Sequence, residues 1–168
     1  INALAALKRS FPRAKVFASR TEAEYISGKK DFVRLTQAKE LHKTLPPERK
    51  HEAGLLMEFY ASIEKAEVDV PLDPPVTFPW CGGLRILFTP GHMPGHISVY
   101  LKESNTLIAG DALVCGNGRL SIDAAHTLDM RQAKESARQF LHFSIERLVC
   151  YHGGEFTGPI RESILAAL

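Results

Sequence analysis

Apolar positions change their rhythm partway along the chain. In the first 72 residues they recur mainly at helical spacing, and from Gly83 onward they cluster into short runs rich in β-branched and aromatic residues. Leu4, Leu7 and Phe11 give a helix over Asn2 to Ser10 one apolar face, and Pro12 ends it. Lys15 to Ser19 (KVFAS) predicts a short strand. Thr21 and Glu24, in T-E-A-E, predict a capping box that starts a short helix ending at Gly28.

Lys29 to Leu72 is rich in Lys and Glu, with Leu41, Leu45, Leu55, Leu56, Phe59 and Ile63 at helical spacings. Pro46-Pro47 divides it into two helical pieces. It reads either as a helical insertion or lid between sheet elements, at about residues 29–72 of one domain spanning 1–168, or as a plain connecting pair. Leu84 to Phe88, Ile97 to Leu101 and Thr106 to Ala109 predict strands, the last two joined by a turn at Asn105. Asp129, with Gln132 three residues on, predicts the cap of a helix reaching about Phe143. Arg147 to Tyr151 predicts a buried strand, and Pro159 opens a last helix over Ile160 to Leu168.

Composition narrows the functional classes. The chain has 168 residues, 45% hydrophobic and 24% charged, which is enough to bury a core. A net charge of +2, with basic residues scattered, gives no nucleic-acid footprint. No apolar run is long enough for a membrane span. Cys81, Cys115 and Cys150 are odd in number and lack a C-x-x-C, so packing cysteines in a reducing, cytoplasmic setting are expected. The chain opens Ile1-Asn2-Ala3-Leu4 without Met and inside a helical pattern, which predicts a piece of a longer protein.

Three segments carry metal-capable side chains, each just after a predicted strand and beside glycine. They are Thr89-Pro90-Gly91-His92-Met93-Pro94-Gly95-His96, Ala109-Gly110-Asp111 and Tyr151-His152-Gly153-Gly154. Imidazole with carboxylate suits zinc, and also iron or manganese. Each segment alone has an ordinary alternative, as a turn, a strand terminus or a loop-stabilising histidine. Their order and shared context favour a common site.

T-P-G-H-x-P-G-H, then a strand and G-D, then a strand and Y-H-G-G, resembles the metallo-β-lactamase superfamily. The resemblance implies an α+β fold, an αβ/βα sandwich of two mixed sheets with helices outside, N-terminally incomplete in this chain. It implies two divalent ions, zinc by default with iron or manganese as alternatives. His92 would ligate the first, Asp111 would bridge both, and His152 would ligate the second, with His96 supporting rather than ligating. A metal-activated water would attack the carbonyl carbon of a carboxylic ester, lactone or thioester.

The family's H-x-H-x-D-H signature is absent from this sequence. The resemblance places it just before a helix like Asn2 to Ser10, so activity of the 168 residues alone is not expected. A di-iron redox or oxygen-binding protein and a non-catalytic fragment remain as alternatives. His126 is a substrate-side candidate against a structural role, while His42, His51 and His142 read as surface residues. Tyr151, Trp80 and Phe88 read as packing. The expected partner is a small-molecule substrate, with neither nucleic acid nor membrane, and homo-oligomerisation stays open.

Overall fold

The computed structural model describes residues 3–168. The chain divides into two compact units, Ile1–Pro71 and Leu72–Leu168. In the first, α1 covers Leu4–Ser10, and the expected start at Asn2 lies outside the described residues. Its buried residue is Ala5, while Leu7 and Phe11 are exposed. The strand β1 is Phe17–Ser19, and α2 is Arg20–Ile26. Ser19, not Thr21, caps α2: its Oγ accepts from the Glu22 N–H at 3.2 Å. A cap needs non-helical dihedrals, which Ser19 has (φ −57°, ψ 149°), whereas Thr21 is already inside the helix.

The next stretch forms α3 (Val33–Thr44), a 3-10 turn at Pro47–Arg49 and α4 (Lys50–Ser62). The helices bury Leu35, Ala38 and Ala53. Leu41, Leu55, Leu56 and Phe59, which set the helical spacing in the sequence, are exposed. Beyond α4, Asp69 accepts from Lys8 Nζ at 2.7 Å and from the Val16 N–H at 2.8 Å. It thereby ties α1 and the lead into β1 to the strand that follows, β2 (Val70–Leu72), which pairs with β1.

The second unit is built on a six-stranded sheet. Its strands are β3 (Val76–Phe78), β4 (Leu84–Phe88), β5 (Ile97–Leu101), β6 (Thr106–Gly110), β9 (Arg147–Cys150) and β10 (Gly154–Phe156). The spatial order is β10-β9-β6-β5-β4-β3, antiparallel throughout except for β6 beside β9. Between β6 and β9 the chain forms a ribbon, β7 (Val114–Gly116) and β8 (Arg119–Ser121), and then α5 (Met130–Arg138). Asn117 and Gly118 turn the ribbon with φ of 50° and 70°, a pair suited to a two-residue hairpin. The last helix, α6, is Ile160–Ala167.

One sheet face supplies Leu87, Tyr100, Leu107, Ala109, Leu148 and Cys150 to the core, which Ala133, Ala137 and Phe140 of the α5 segment and Ile164 of α6 complete. Asp129 caps α5 as the sequence predicts, accepting from the Gln132 N–H at 2.9 Å. The helix closes in a 3-10 turn over Gln139–His142, which ends at Phe143. The opposite sheet face carries the row Ile86, Val99, Ile108 and Val149, of which only Ile86 is fully buried. Mixed helices and sheets in this arrangement make an α+β fold.

Candidate metal centre

The loop from β4 to β5 carries the first histidine. It is pinned to the start of α5, since the Leu128 and Asp129 N–H groups both donate to Gly91 O at 3.0 Å and Ser136 Oγ donates to Pro90 O at 2.6 Å. His92 therefore follows two residues whose carbonyls are tied to the α5 segment.

Asp111 follows β6. The register of β6 against β9 shifts between Ile108 and Gly110, an irregularity of the kind that re-aims a side chain beside a site. Gly110 has φ of +63°, and a Cβ there would lie 2.7 Å from His96 Nε2. Only glycine fits both the backbone conformation and the space. The close approach lets the Asp111 N–H donate to His96 Nε2 at 3.0 Å.

That bond fixes the histidine tautomer. With Nε2 accepting, the proton sits on Nδ1 and points to Thr89, whose Oγ1 is 2.9 Å away and whose carbonyl oxygen is 3.1 Å away. Thr89 Oγ1 lies 2.9 Å from Ser98 Oγ, which itself donates to Ala109 O at 3.0 Å. The hydrogen bonds close into a ring running from Asp111 through His96, Thr89 and Ser98 back to Ala109. Burial, together with the neighbouring His92, holds His96 down to about 4, so it is neutral at ordinary pH.

His152 occupies the tight connection between β9 and β10. Its carbonyl accepts from the Cys115 N–H at 2.9 Å, and Gly153 (φ +94°) packs so closely on Cys115 O that no Cβ fits. The three candidate ligands thus come from three strand ends, and they meet. His92 Nε2 lies 3.9 Å from Asp111 Oδ2, and His152 Nε2 lies 3.5 Å from Asp111 Oδ1. Each carboxylate oxygen faces a different imidazole. Exposure grades across the site, with side chains 15% exposed for His92, 22% for Asp111 and 77% for His152.

Both separations are too long for a good hydrogen bond. Asp111 Oδ1 is buried and has no hydrogen-bond partner among the described residues. Two donors on one tetrahedral ion, each at about 2.1 Å, stand roughly 3.4 Å apart, so these gaps suit an ion between each pair. Among the described residues no three His, Cys, Asp or Glu side chains surround a single point. The arrangement is two imidazole–carboxylate pairs sharing one carboxylate.

His126 is exposed, and its Nδ1 sits 2.6 Å from Asp123 Oδ2, on the loop that leads into the Gly91 contacts. Thr127, its neighbour, has a buried Oγ1 without a hydrogen-bond partner among the described residues. Tyr151 does not pack: it is 71% exposed, because β9 ends at Cys150. Trp80 and Phe88 are also exposed, Trp80 stacking on Phe78 with ring centroids 4.3 Å apart. The three cysteines are free, and burial pushes Cys150 up to about 12.

The comparisons with known proteins bear on the family and the fold. A family model described as the metallo-beta-lactamase superfamily matches residues 14–152, a span that includes His92 and Asp111 and ends on His152. The probable metallo-hydrolase YflN of Bacillus subtilis is 26% identical over 171 residues, covering 91% of this chain and 60% of its own length. The metallo-beta-lactamase family protein TTHA1429 from Thermus thermophilus superposes with a TM-score of 0.62 at 22% identity, over 91% of this chain and 51% of its own. TTHA1623, solved in a di-iron-bound form, gives 0.60 at 21% identity, over 94% and 66%. The chain therefore spans 60% of the curated relative's length and 51% of the Thermus protein's. At these identities the solved structures establish the fold, and the family model establishes kinship: this chain belongs to the metallo-beta-lactamase superfamily.

Proposed function

We propose that the complete protein is a metal-dependent hydrolase of a carboxylic ester, lactone or thioester, with His92, Asp111 and His152 among the ligands of two divalent ions. One observation carries this reading. Asp111 offers one oxygen to each imidazole at spacings suited to shared ions, with its buried Oδ1 otherwise unsatisfied. Two such ions, when bound, would supply Lewis acidity that lowers the pKa of water and polarises a carbonyl oxygen. Asp111 would hold the two positions at a fixed separation, and His96 would hold Asp111 through its backbone. His126 would stand on the substrate side.

The donors do not by themselves select the metal. Zinc is the default, and iron is the alternative that the di-iron form of TTHA1623 brings into view. The substrate would be a small molecule, without nucleic-acid or membrane partners. No described helix is long and apolar enough to cross a membrane. A non-catalytic scaffold is the second reading, and the ligand count favours it for these 168 residues alone. Each ion would have two protein ligands, one of them shared, where a catalytic zinc ordinarily has three.

The test is metal analysis and hydrolysis of an ester, lactone and thioester panel, with the complete protein and with residues 1–168. The proposal expects metal-dependent turnover by the complete protein and little by the shorter chain. Absence of turnover by a complete protein loaded with zinc or with iron would favour the scaffold reading.

A further inference from the structure

A cleft of about 550 Å³ lies at the other end of the strands that lead to the candidate centre. β4 runs from Leu84 to Phe88 and reaches the candidate centre at Thr89, while antiparallel β5 starts beside His96 and ends at Leu101. The cleft gathers at the opposite end, where Gly83 precedes β4 and Lys102 follows β5. At about 3.3 Å per residue, five residues separate the two places by roughly 15 Å. The volume falls in the range of small-molecule sites.

Its chemistry is one-sided. Arg85, Lys102 and His142 line it, and no carboxylate does. None of these three makes an ion pair with an acidic residue among the described residues, although Lys8, Arg9, Lys15, Lys39 and Arg147 all do. The Arg85 guanidinium is instead held 5.5 Å from the centroid of the Phe143 ring. Phe143 in turn packs against Tyr100, with centroids 4.8 Å apart. The Tyr100 hydroxyl contacts Asn105 Oδ1 and Ser144 O, both at 2.8 Å, which fixes the aromatic wall. An oriented guanidinium and an ammonium group, beside an aromatic ring, make a pair of charged donors suited to an anion.

We propose that this cleft binds a small organic oxyanion with a flat apolar body, its charged group on Arg85 and Lys102 and its body against Phe143. The site is independent of the candidate metal centre and of any reaction there.

Phenyl phosphate serves as the probe, with inorganic phosphate, benzoate and benzyl alcohol beside it, followed by amide chemical shifts and calorimetry on the complete protein. Phenyl phosphate and benzoate should shift the amides of Arg85, Lys102 and Ser144, and added salt should weaken them. Arg85→Gln and Lys102→Gln should each weaken binding about tenfold, the loss of one charge-assisted contact. Lys102→Gln also guards against a folding defect in the Arg85 variant, and His92→Ala should leave the affinity unchanged. Inorganic phosphate should bind more weakly for want of the aromatic contact, and benzyl alcohol for want of charge. The proposal falls if phenyl phosphate does not bind, if both Gln variants bind as the parent does, or if the shifted amides are those of His92 and His152. Equal binding of benzyl alcohol, or of inorganic phosphate, overturns it as well.

Discussion

The Asp111 backbone N–H donates to His96 Nε2 across 3.0 Å, which makes a neutral histidine the fixed point for the carboxylate that faces two other histidines. His96→Ala would leave that N–H without its acceptor in a partly buried place, costing about 2–3 kcal/mol of stability. The same change should weaken metal binding by about 10- to 100-fold, the usual effect of losing a group that orients a ligand. Urea denaturation and competitive metal titration measure the two effects separately. A variant with unaltered metal affinity would reduce His96 to a packing role.

Thr89 relays the same ring, with Oγ1 between His96 Nδ1 and Ser98 Oγ at 2.9 Å each. Thr89→Val keeps the shape and removes the hydroxyl. His96 retains the Thr89 carbonyl at 3.1 Å, so the expected loss is modest, about 1 kcal/mol by urea denaturation. A loss as large as that of His96→Ala would mean that the carbonyl contact does not hold the ring.

Gly110 is a position beside the centre where a side chain meets both backbone strain and a neighbouring imidazole. Ala at φ of +63° is strained, and its Cβ would sit 2.7 Å from His96 Nε2. Gly110→Ala should cost about 2 kcal/mol or more and displace Asp111, lowering both the unfolding midpoint and the metal affinity. Unchanged thermal unfolding would show that the loop relaxes without cost.

In the first unit, Lys8, the Val16 N–H and Lys15 hold the Asp69 carboxyl at about 2, below its ordinary 3.8. A depressed carboxyl stabilises the fold above its unfolded value, and that contribution is lost as pH falls through 3.8 toward about 2. Asp69→Asn should lower stability at neutral pH and flatten the profile across that acid window. Denaturation midpoints measured against pH test this, and parallel profiles for parent and variant would contradict it.

Much of the second unit is legible in the sequence because its signals are local. LRILF and ISVYL match β4 and β5 to the residue, and Asp129 announces its helix through its own side chain. The three-residue strands β3, β7, β8 and β10 escape, being too short for periodicity to register. Asn117-Gly118 is the available cue for the ribbon of β7 and β8. The Ser19 cap escapes because Ser19 reads as the last residue of the predicted strand, while Thr21 and Glu24 have the capping-box spacing.

The candidate centre divides in the same way. Glycine-flanked His92, Asp111 and His152 stand out because strand ends suit ligands. The Thr89–Ser98–Ala109 relay does not stand out, since it joins residues through the pairing of neighbouring strands. The register shift beside Ala109 leaves no compositional trace. Tyr151 reads as the last residue of a buried strand, yet the chain turns one residue earlier to present His152.

The central claim is that Asp111 is shared by two ions, each also held by one histidine. Metal stoichiometry of the complete protein and its His92→Ala, His152→Ala and Asp111→Ala variants, measured by elemental analysis after exhaustive dialysis, tests it most directly. Two tightly held ions are expected in the parent, one in each histidine variant and neither in the Asp111 variant. Two ions retained without Asp111, or no loss on removing either histidine, would contradict it.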